Sequence, residues 1–403
     1  MLLVESHNIN PNHEYFSECD KLCRISKLLY NEANYLVRQS FISNNKYISA
    51  IEIKKQFQTT SENYKNLPAK VSSETLRLLH QNWLSFFKAI KDWKKHPEKY
   101  LGRPKIPKYK KVFFPVIYDR QAISTKTLKQ NIISLSQTNI KIPLQHKDHK
   151  IKQARIIPVN SELFKIEVVF EKEIKQNDLN KSRSIGIDFG LNNLIAATGN
   201  TKPFIITGKP LKSINQWYNK EKAKMQSRLP EYFISKRMKK LSNKRNNKIN
   251  DYLHKTSNMI IKHCLANDIG NLVIGYNKEW KQNINIGKKN NQAFVNIPFY
   301  KLLSKIAYKA ELQGISVVTQ EESYTSKCSW IDNERIAKHV KYKGKRVKRG
   351  LFRTENKILV NADINAAANI LKKCNSQFNS INEGIEAVSA PPVKLNPYKQ
   401  FSI

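Results

Sequence analysis

The sequence predicts a mixed α/β protein in two halves: a helical segment joined to a β-rich module, then a domain in which strands and helices alternate. Three observations predict it. Apolar residues recur at helical spacing over about the first hundred residues and at period two beyond them. The polar run "KQNDLNKSR" at 175–183 then separates the halves. Beyond it, strand-type runs lie between helical ones. At 403 residues the chain has room for two or three domains and at least one sizeable core.

In "CDKLCRISKLLYNEANYLVRQSFI", Leu22, Ile25, Leu28, Leu29, Leu36 and Val37 keep helical spacing. "SSETLRLLHQNWLSFFKAIKDWKKHPEKY" reads as a second helix, with Ser72 or Ser73 as N-cap and Pro97 near its stop. "GRPKIPKY" at 102–109 is a punctuated basic linker. The runs "KVFFPVIY", "NIISL", "NIKIP", "KQARIIPV" and "FKIEVVFE" read as short antiparallel strands of a small barrel or open sheet.

In the second half, "SIGIDFG" and "LIAATG" predict a hairpin and "PFIITG" a third strand. The basic helical stretch from Glu221 to Asn267 is broken or kinked at Pro230. Strand "LVIG", helix "FYKLLSKIAYKAELQ", strand "ISVVTQE", an irregular hairpin and helix "ADINAAANILKK" follow. The tail, 375–403, is polar enough to be expected to lack fixed structure.

Lys and Arg number 71 against 32 Asp and Glu, a formal charge of +39 that points to a polyanionic partner, nucleic acid first. Composition alone equally fits a binder without chemistry. The start "MLLVESHNINP" lacks the basic, then apolar pattern of a signal peptide, and no run approaches the roughly 18 apolar residues of a membrane span. Five scattered cysteines (Cys19, Cys23, Cys264, Cys328, Cys374) read as reduced thiols in a cytosolic or nuclear setting.

Two acids carry chemical interest. Asp188 ends the apolar strand "SIGID", where an unpaired carboxylate costs several kcal/mol and therefore needs a cation, a hydrogen-bond network or a metal. Gly186 and Gly190 flank it and leave backbone space that suits a phosphate. Asp363, in "NADINAAANI", opens an Ala-rich helix, where capping or the helix dipole would already explain it.

Taken together, the order strand-Asp, hairpin, helical insertion, strand, helix, strand, helix-Asp is that of the RNase H-like nuclease fold. "GIDFGLNNLIAATG", "SKRMKKLSNKRNNKINDYLHKTS", "YTSKCS" and "NADINAAANI" resemble the RuvC-type domain of TnpB proteins, the transposon-encoded RNA-guided nucleases related to type V CRISPR effectors and to Fanzor proteins. "LLYNEANYLVRQ" and "GRPKIPKY" resemble the family's N-terminal half. The resemblance implies an α/β RNase H-like (RuvC) nuclease domain at 181–374, with a degenerate zinc-ribbon hairpin at about 327–361. It implies a preceding β-barrel-like wedge module at 1–18 and 112–180, an inserted helical recognition module at 19–111, and a flexible tail at 375–403.

It further implies three carboxylates holding two Mg²⁺ ions (or Mn²⁺) about 4 Å apart for phosphodiester hydrolysis, with hard oxygen ligands suited to such ions. Asp188 is then the first and Asp363 the last. The family's usual middle glutamate falls at Gly275 in "NLVIGYNKEW". Glu279 lies four residues on, and Glu321 and Glu322 end the next strand, about 4.8 Å away if adjacent. Some family members and Fanzors carry a substitute before a Tyr-Thr pair. Glu322 matches that Glu-x-Tyr-Thr spacing, with Glu321 as runner-up, because alternation turns only one of the two inward. The plainer reading is that both decorate a strand end and the enzyme is inactive.

The family's two Cys-x-x-Cys pairs are reduced here to Cys328, with His339 the nearest companion, so no structural zinc is expected and Trp330, Leu351 and Phe352 are expected to hold the hairpin. Lys236, Arg237, Lys239, Lys240, Lys244 and Arg245 on one segment, and Lys345, Arg346, Lys348 and Arg349 on another, read as phosphate contacts. The resemblance supplies the partners: a guide RNA from the protein's own locus and double-stranded target DNA with a short flanking motif, with no membrane involved. The alternatives are a guided DNA binder without cleavage and an unguided nuclease or transposase of the same fold. The expected setting is a bacterial cytoplasm, or the nucleus for a eukaryotic or viral element.

Overall fold

The computed structural model describes residues 1–145, 150–175, 177–277, 287–374 and 388–399. Glu279 lies outside the described residues. The chain forms two units, Met1–Lys172 and Glu173–Ile403. The break therefore precedes the polar run at 175–183, because that run hydrogen-bonds forward: Lys175 N donates to Leu312 O and Asn180 N to Asp268 Oδ1.

The first unit runs β1 (Leu2–Ile9), α1 (Phe16–Asn44), α2 (Ala50–Thr60), α3 (Glu62–Lys65), α4 (Ala69–Lys95), β2 (Val116–Asp119), α5 (Thr125–Leu128), β3 (Ile132–Ser134), β4 (Lys141–Pro143), β5 (Lys150–Asn160) and β6 (Leu163–Glu171). Its main sheet has the order β1-β6-β5-β2, all antiparallel, and β3 pairs with β4 separately. Among the described residues the ladder is open at β1 and β2, so the β-barrel-like expectation resolves to an open sheet. Helix α4 starts at Ala69, earlier than the expected Ser72 or Ser73: Pro68 supplies the turn into it, and Ser72 Oγ donates to Tyr64 O instead of capping. Trp83 of α4 is fully buried and donates from Nε1 to Asn34 Oδ1 (3.0 Å) on α1. The basic linker is tied to α1 by side chains that satisfy its backbone: Asn34 Nδ2 and an Arg38 guanidinium NH donate to Pro107 O, and Asn31 both gives to and takes from Lys110.

The second unit runs β7 (Ser184–Phe189), β8 (Asn193–Gly199), β9 (Thr201–Thr207), α6 (Lys209–Gln226), α7 (Lys236–Ala266), β10 (Asn271–Gly275), α8 (Lys288–Val295), α9 (Phe299–Glu311), β11 (Ser316–Gln320), β12 (Lys345–Lys348), β13 (Leu351–Arg353), β14 (Leu359–Asn361), α10 (Ala362–Cys374) and β15 (Val393–Leu395). Pro230 lies in the break between α6 and α7. The sheet order is β11-β10-β7-β8-β9-β15. Strands β7, β8 and β9 are antiparallel neighbours, while β10 and β11 add in parallel after helical crossovers.

Two expectations change here. The tail was expected to be flexible, yet within 388–399 the segment Val393–Leu395 pairs in parallel with Phe204–Ile206 and extends the sheet. Its apolar residues find a free sheet edge, which a compositional reading cannot see. The space at Gly186 is filled by the protein: a Cβ there would collide with the Ala367 carbonyl and with Leu371 Cβ (2.8 Å) on α10. The small residues of α10 thus bring its backbone onto β7, and at Gly190 a Cβ would meet Asn193 O (2.6 Å) at the start of β8.

The β12-β13-β14 sheet forms the expected hairpin region. Phe352 is buried with Val360 and Ala362, whereas Trp330 packs with Ala196, Ile205, Ile364 and Ala368 of the main domain. Leu351 is half-buried. No helix among the described residues is long and apolar enough to cross a membrane.

Candidate nuclease site

Asp188 is the last residue but one of β7, and the parallel register sets Ile187 opposite Ile274, so the next residue of each strand brings Asp188 beside Gly275. Strand β11 pairs with β10 up to Gln320 opposite Gly275, and the chain then turns through Glu321 and Glu322. Asn277 Oδ1 accepts from Glu322 N (3.0 Å), and Thr325 donates to Glu322 O from both its backbone N (3.1 Å) and its Oγ1 (2.8 Å). That pair of bonds is the physical content of the Glu-x-Tyr-Thr spacing. It closes a turn that points Glu322 back over the sheet.

The result is a direct exchange of volume. A Cβ built on Gly275 would lie 2.7 Å from Glu322 Oε1 and 2.9 Å from its Cγ. Glu322 Oε1 is buried without a hydrogen-bond partner. Burial, then the charge of Glu321, push the Glu322 carboxyl up to about 7, against the pull of Lys373. Asp188 is raised well above the usual range by burial first, then by Glu322 and Asp363, with Arg346 acting the other way.

Glu321 takes the opposite face. It is exposed and paired with Lys373 Nζ at 2.7 Å. Asp363 does not cap its helix: Asn361 Oδ1 accepts from Asp363 N (3.0 Å) and Ile364 N (3.1 Å). The Asp363 carboxylate is left to accept from Asn193 Nδ2 (2.7 Å) and from the Arg346 guanidinium (3.0 Å).

Asp188 lies close enough to Glu322 and Asp363 for their charges to act on it. Among the described residues, no three His, Cys, Asp or Glu side chains are gathered tightly enough to hold an ion as they stand. Asp363 is engaged by Arg346 and Asn193 instead. The donor set still fits a hard divalent cation: two raised, mutually repelling carboxyls and an orphaned buried oxygen are what such an ion would satisfy.

The basic residues divide. Lys236, Arg237, Lys240 and Lys244 are exposed along α7, and Lys239 is half-buried. Arg245 turns inward, donating to Asn215 Oδ1 and Asn296 O (both 2.8 Å), because the polar backbone and amide there would otherwise be unmet. Its guanidinium is thus engaged within the protein. Lys345, Lys348 and Arg349 are exposed on and after β12, while Arg346 reaches back to Asp363.

Asn193, Asn277 and Asn361 escaped sequence reading. Only Asn361 carried a local signal, as an N-cap type directly before a helix.

The sequence matches the OrfB_IS605 family, described as a probable transposase, over residues 165–281, and the TNB domain of Cas12f1-like proteins over residues 299–370. No curated protein matches it. Among solved structures, a cryo-EM structure of a Cas12f1–sgRNA–target DNA complex is similar at 14% identity and a TM-score of 0.53, over 89% of this chain and 82% of that one. A mini-RNA-guided endonuclease, CRISPR-Cas_phi3, matches at 11% identity and a TM-score of 0.47, over 92% of each chain. At such identity the Cas12f1 similarity shows the fold alone.

Proposed function

We propose that this chain, a TnpB-like family member, is an RNA-guided nuclease of the TnpB/Cas12 type that cleaves DNA at Asp188, Glu322 and Asp363. One observation carries the reading. The Glu322 carboxylate lies in the space a side chain at 275 would take, with its Oε1 buried and unpartnered. A purely structural acid would be paired or exposed, as Glu321 is.

Asp188, Glu322 and Asp363 would hold the divalent cations, Mg²⁺ or Mn²⁺. Such ions, when bound, activate a water and stabilise the leaving oxygen of a phosphodiester. The chain's own residues prepare that site. Asn361 relieves Asp363 of capping, and Asn193 fixes its orientation. Asn277 and Thr325 hold the turn that aims Glu322 inward. Arg346 pairs with the Asp363 carboxylate at 3.0 Å. Lys236, Arg237, Lys240, Lys244, Lys345, Lys348 and Arg349 offer phosphate contacts, which supply affinity without sequence choice. Selection then falls to a guide RNA, with a short flanking DNA motif read elsewhere on the chain. The hairpin at 327–361 is held without zinc.

Cleavage of a plasmid library with randomised flanks tests this, using protein purified with RNA transcribed from its own locus. Wild type and Glu321→Ala should cut, while Asp188→Ala, Glu322→Ala and Asp363→Ala should not. Guide-dependent binding without cutting by wild type in Mg²⁺ or Mn²⁺ would replace this reading with a guided DNA binder. Cutting without a co-purified discrete RNA would replace it with an unguided nuclease.

A further inference from the structure

Trp217 stands on α6 at 42% exposure, a large apolar face open to water on a strongly basic surface. Lys244 and Lys248, one turn apart on α7, each place Nζ 5.9 Å from the centre of its ring. Both lysines are exposed. On the helix wheel they continue a stripe through Arg237 and Lys240, spaced three, four and four residues apart, so the four cations share one face.

Packing alone does not account for this. The neighbouring Tyr218 is half-buried and bonded to Ser242 Oγ (3.0 Å), which already serves the α6–α7 contact. At 5.9 Å the ammonium groups sit near the roughly 6 Å limit of attraction to a ring face, so the ring does not lock them. They are free to swing to phosphates on either side of a base laid on the indole.

We infer that Trp217, framed by Lys244 and Lys248, is a base-stacking platform for an unpaired stretch of nucleic acid running along α7. A paired duplex keeps its bases stacked on one another and offers this face only phosphates. An unpaired strand offers a base as well. The charge of the stripe commits the face to a polyanion, and the exposed indole selects strands whose bases are free. This platform lies on elements other than those bearing the carboxylates and stands whether or not the protein cuts DNA.

The test is fluorescence anisotropy of the full-length protein with labelled oligo(dT), oligo(rU) and a duplex of equal length, over a salt series. Trp217→Leu, which keeps apolar bulk without a π-face, should weaken single-strand binding about tenfold and leave duplex binding within about twofold. Trp217→Phe should restore most of the loss. The salt slope should stay at the wild-type value in both, and should fall by between one and two for the single strand in Lys244→Gln/Lys248→Gln. The oligonucleotide with the larger loss identifies RNA or DNA as the strand. Single-strand binding within twofold of wild type in a Trp217→Leu protein of unchanged melting temperature overturns the proposal. So does an equal loss for duplex. A change in sedimentation without any loss of oligonucleotide binding would assign the face to a protein contact instead.

Discussion

Glu322 occupies the volume into which a side chain at Gly275 would project, with its Oε1 2.7 Å from where that Cβ would stand. The two positions are therefore alternatives: a glycine at the end of β10 and a glutamate after β11 are one substitution spread over two strands. Parallel pairing makes this possible, since Gly275 and Gln320 are register partners and Glu322 follows two residues later.

Gly275→Ala should destabilise the protein by about 1–3 kcal/mol, because its Cβ meets Glu322 and the Ile370 Cδ1 (2.5 Å) in a filled space. Adding Glu322→Ala should recover part of that loss. A thermal or denaturant double-mutant cycle measures the coupling. Strictly additive effects would show that the two side-chain volumes do not compete.

The pH dependence follows from the raised Glu322 carboxyl. Its ordinary value is 4.5 and in the folded protein it stands at about 7. A raised acid contributes stability that is fully present below 4.5 and lost as pH rises through about 7. Wild type should lose on the order of 2 kcal/mol relative to Glu322→Gln across that window, measured by denaturant unfolding in chelator. Mg²⁺ or Mn²⁺ should flatten the difference in slope. Parallel pH profiles for the two proteins in chelator would remove the basis for a buried, proton-sensitive Glu322.

Arg346 is paired with Asp363 at 3.0 Å, so an ion taken up by that carboxylate would have to displace it. Arg346→Met should tighten Mn²⁺ binding a few-fold, in keeping with roughly 0.2–1 kcal/mol for a half-exposed pair, as read by calorimetry. The same variant should leave the salt dependence of duplex binding nearly unchanged, because its charge is already spent on Asp363. Weaker Mn²⁺ binding would instead make Arg346 a support of the ion site.

Asn365 is buried in α10, donating to Cys328 O (2.9 Å) and accepting from Trp330 N (3.0 Å). Asn369 donates to Thr325 O and Cys328 O (both 2.8 Å). These amides hold the Cys328 segment by backbone hydrogen bonds. Asn365→Ala should cost about 1–3 kcal/mol by leaving the buried Trp330 N unmet, while Cys328 O keeps its bond from Asn369. A zinc chelator should leave the wild-type melting temperature unchanged. A chelator-sensitive melt would show that a metal shares the task.

Much of the scaffold was legible because its signals are local. The change from helical to period-two spacing, Pro230 between α6 and α7, and the strand run through Asp188 are properties of neighbouring residues. Asp363 at the start of α10 was legible as a position but not as a free carboxylate, since Asn361 had first to take the cap. The tail shows the opposite limit: Val393–Leu395 reads as coil by composition and is a strand because β9 has an open edge.

By itself the sequence determined the order of strands and helices, the two flanking aspartates, the pair of glutamates from which an inward one could come, and a surface charge suited to nucleic acid. Only the tertiary structure decided that Glu322 fills the Gly275 space while Glu321 pairs with Lys373, that α10 fills the space at Gly186, that Arg245 turns inward, and that Arg346 pairs with Asp363. Periodicity and charge are carried by adjacent residues. Which buried space a side chain enters depends on parallel strands and a helix brought together from far along the chain.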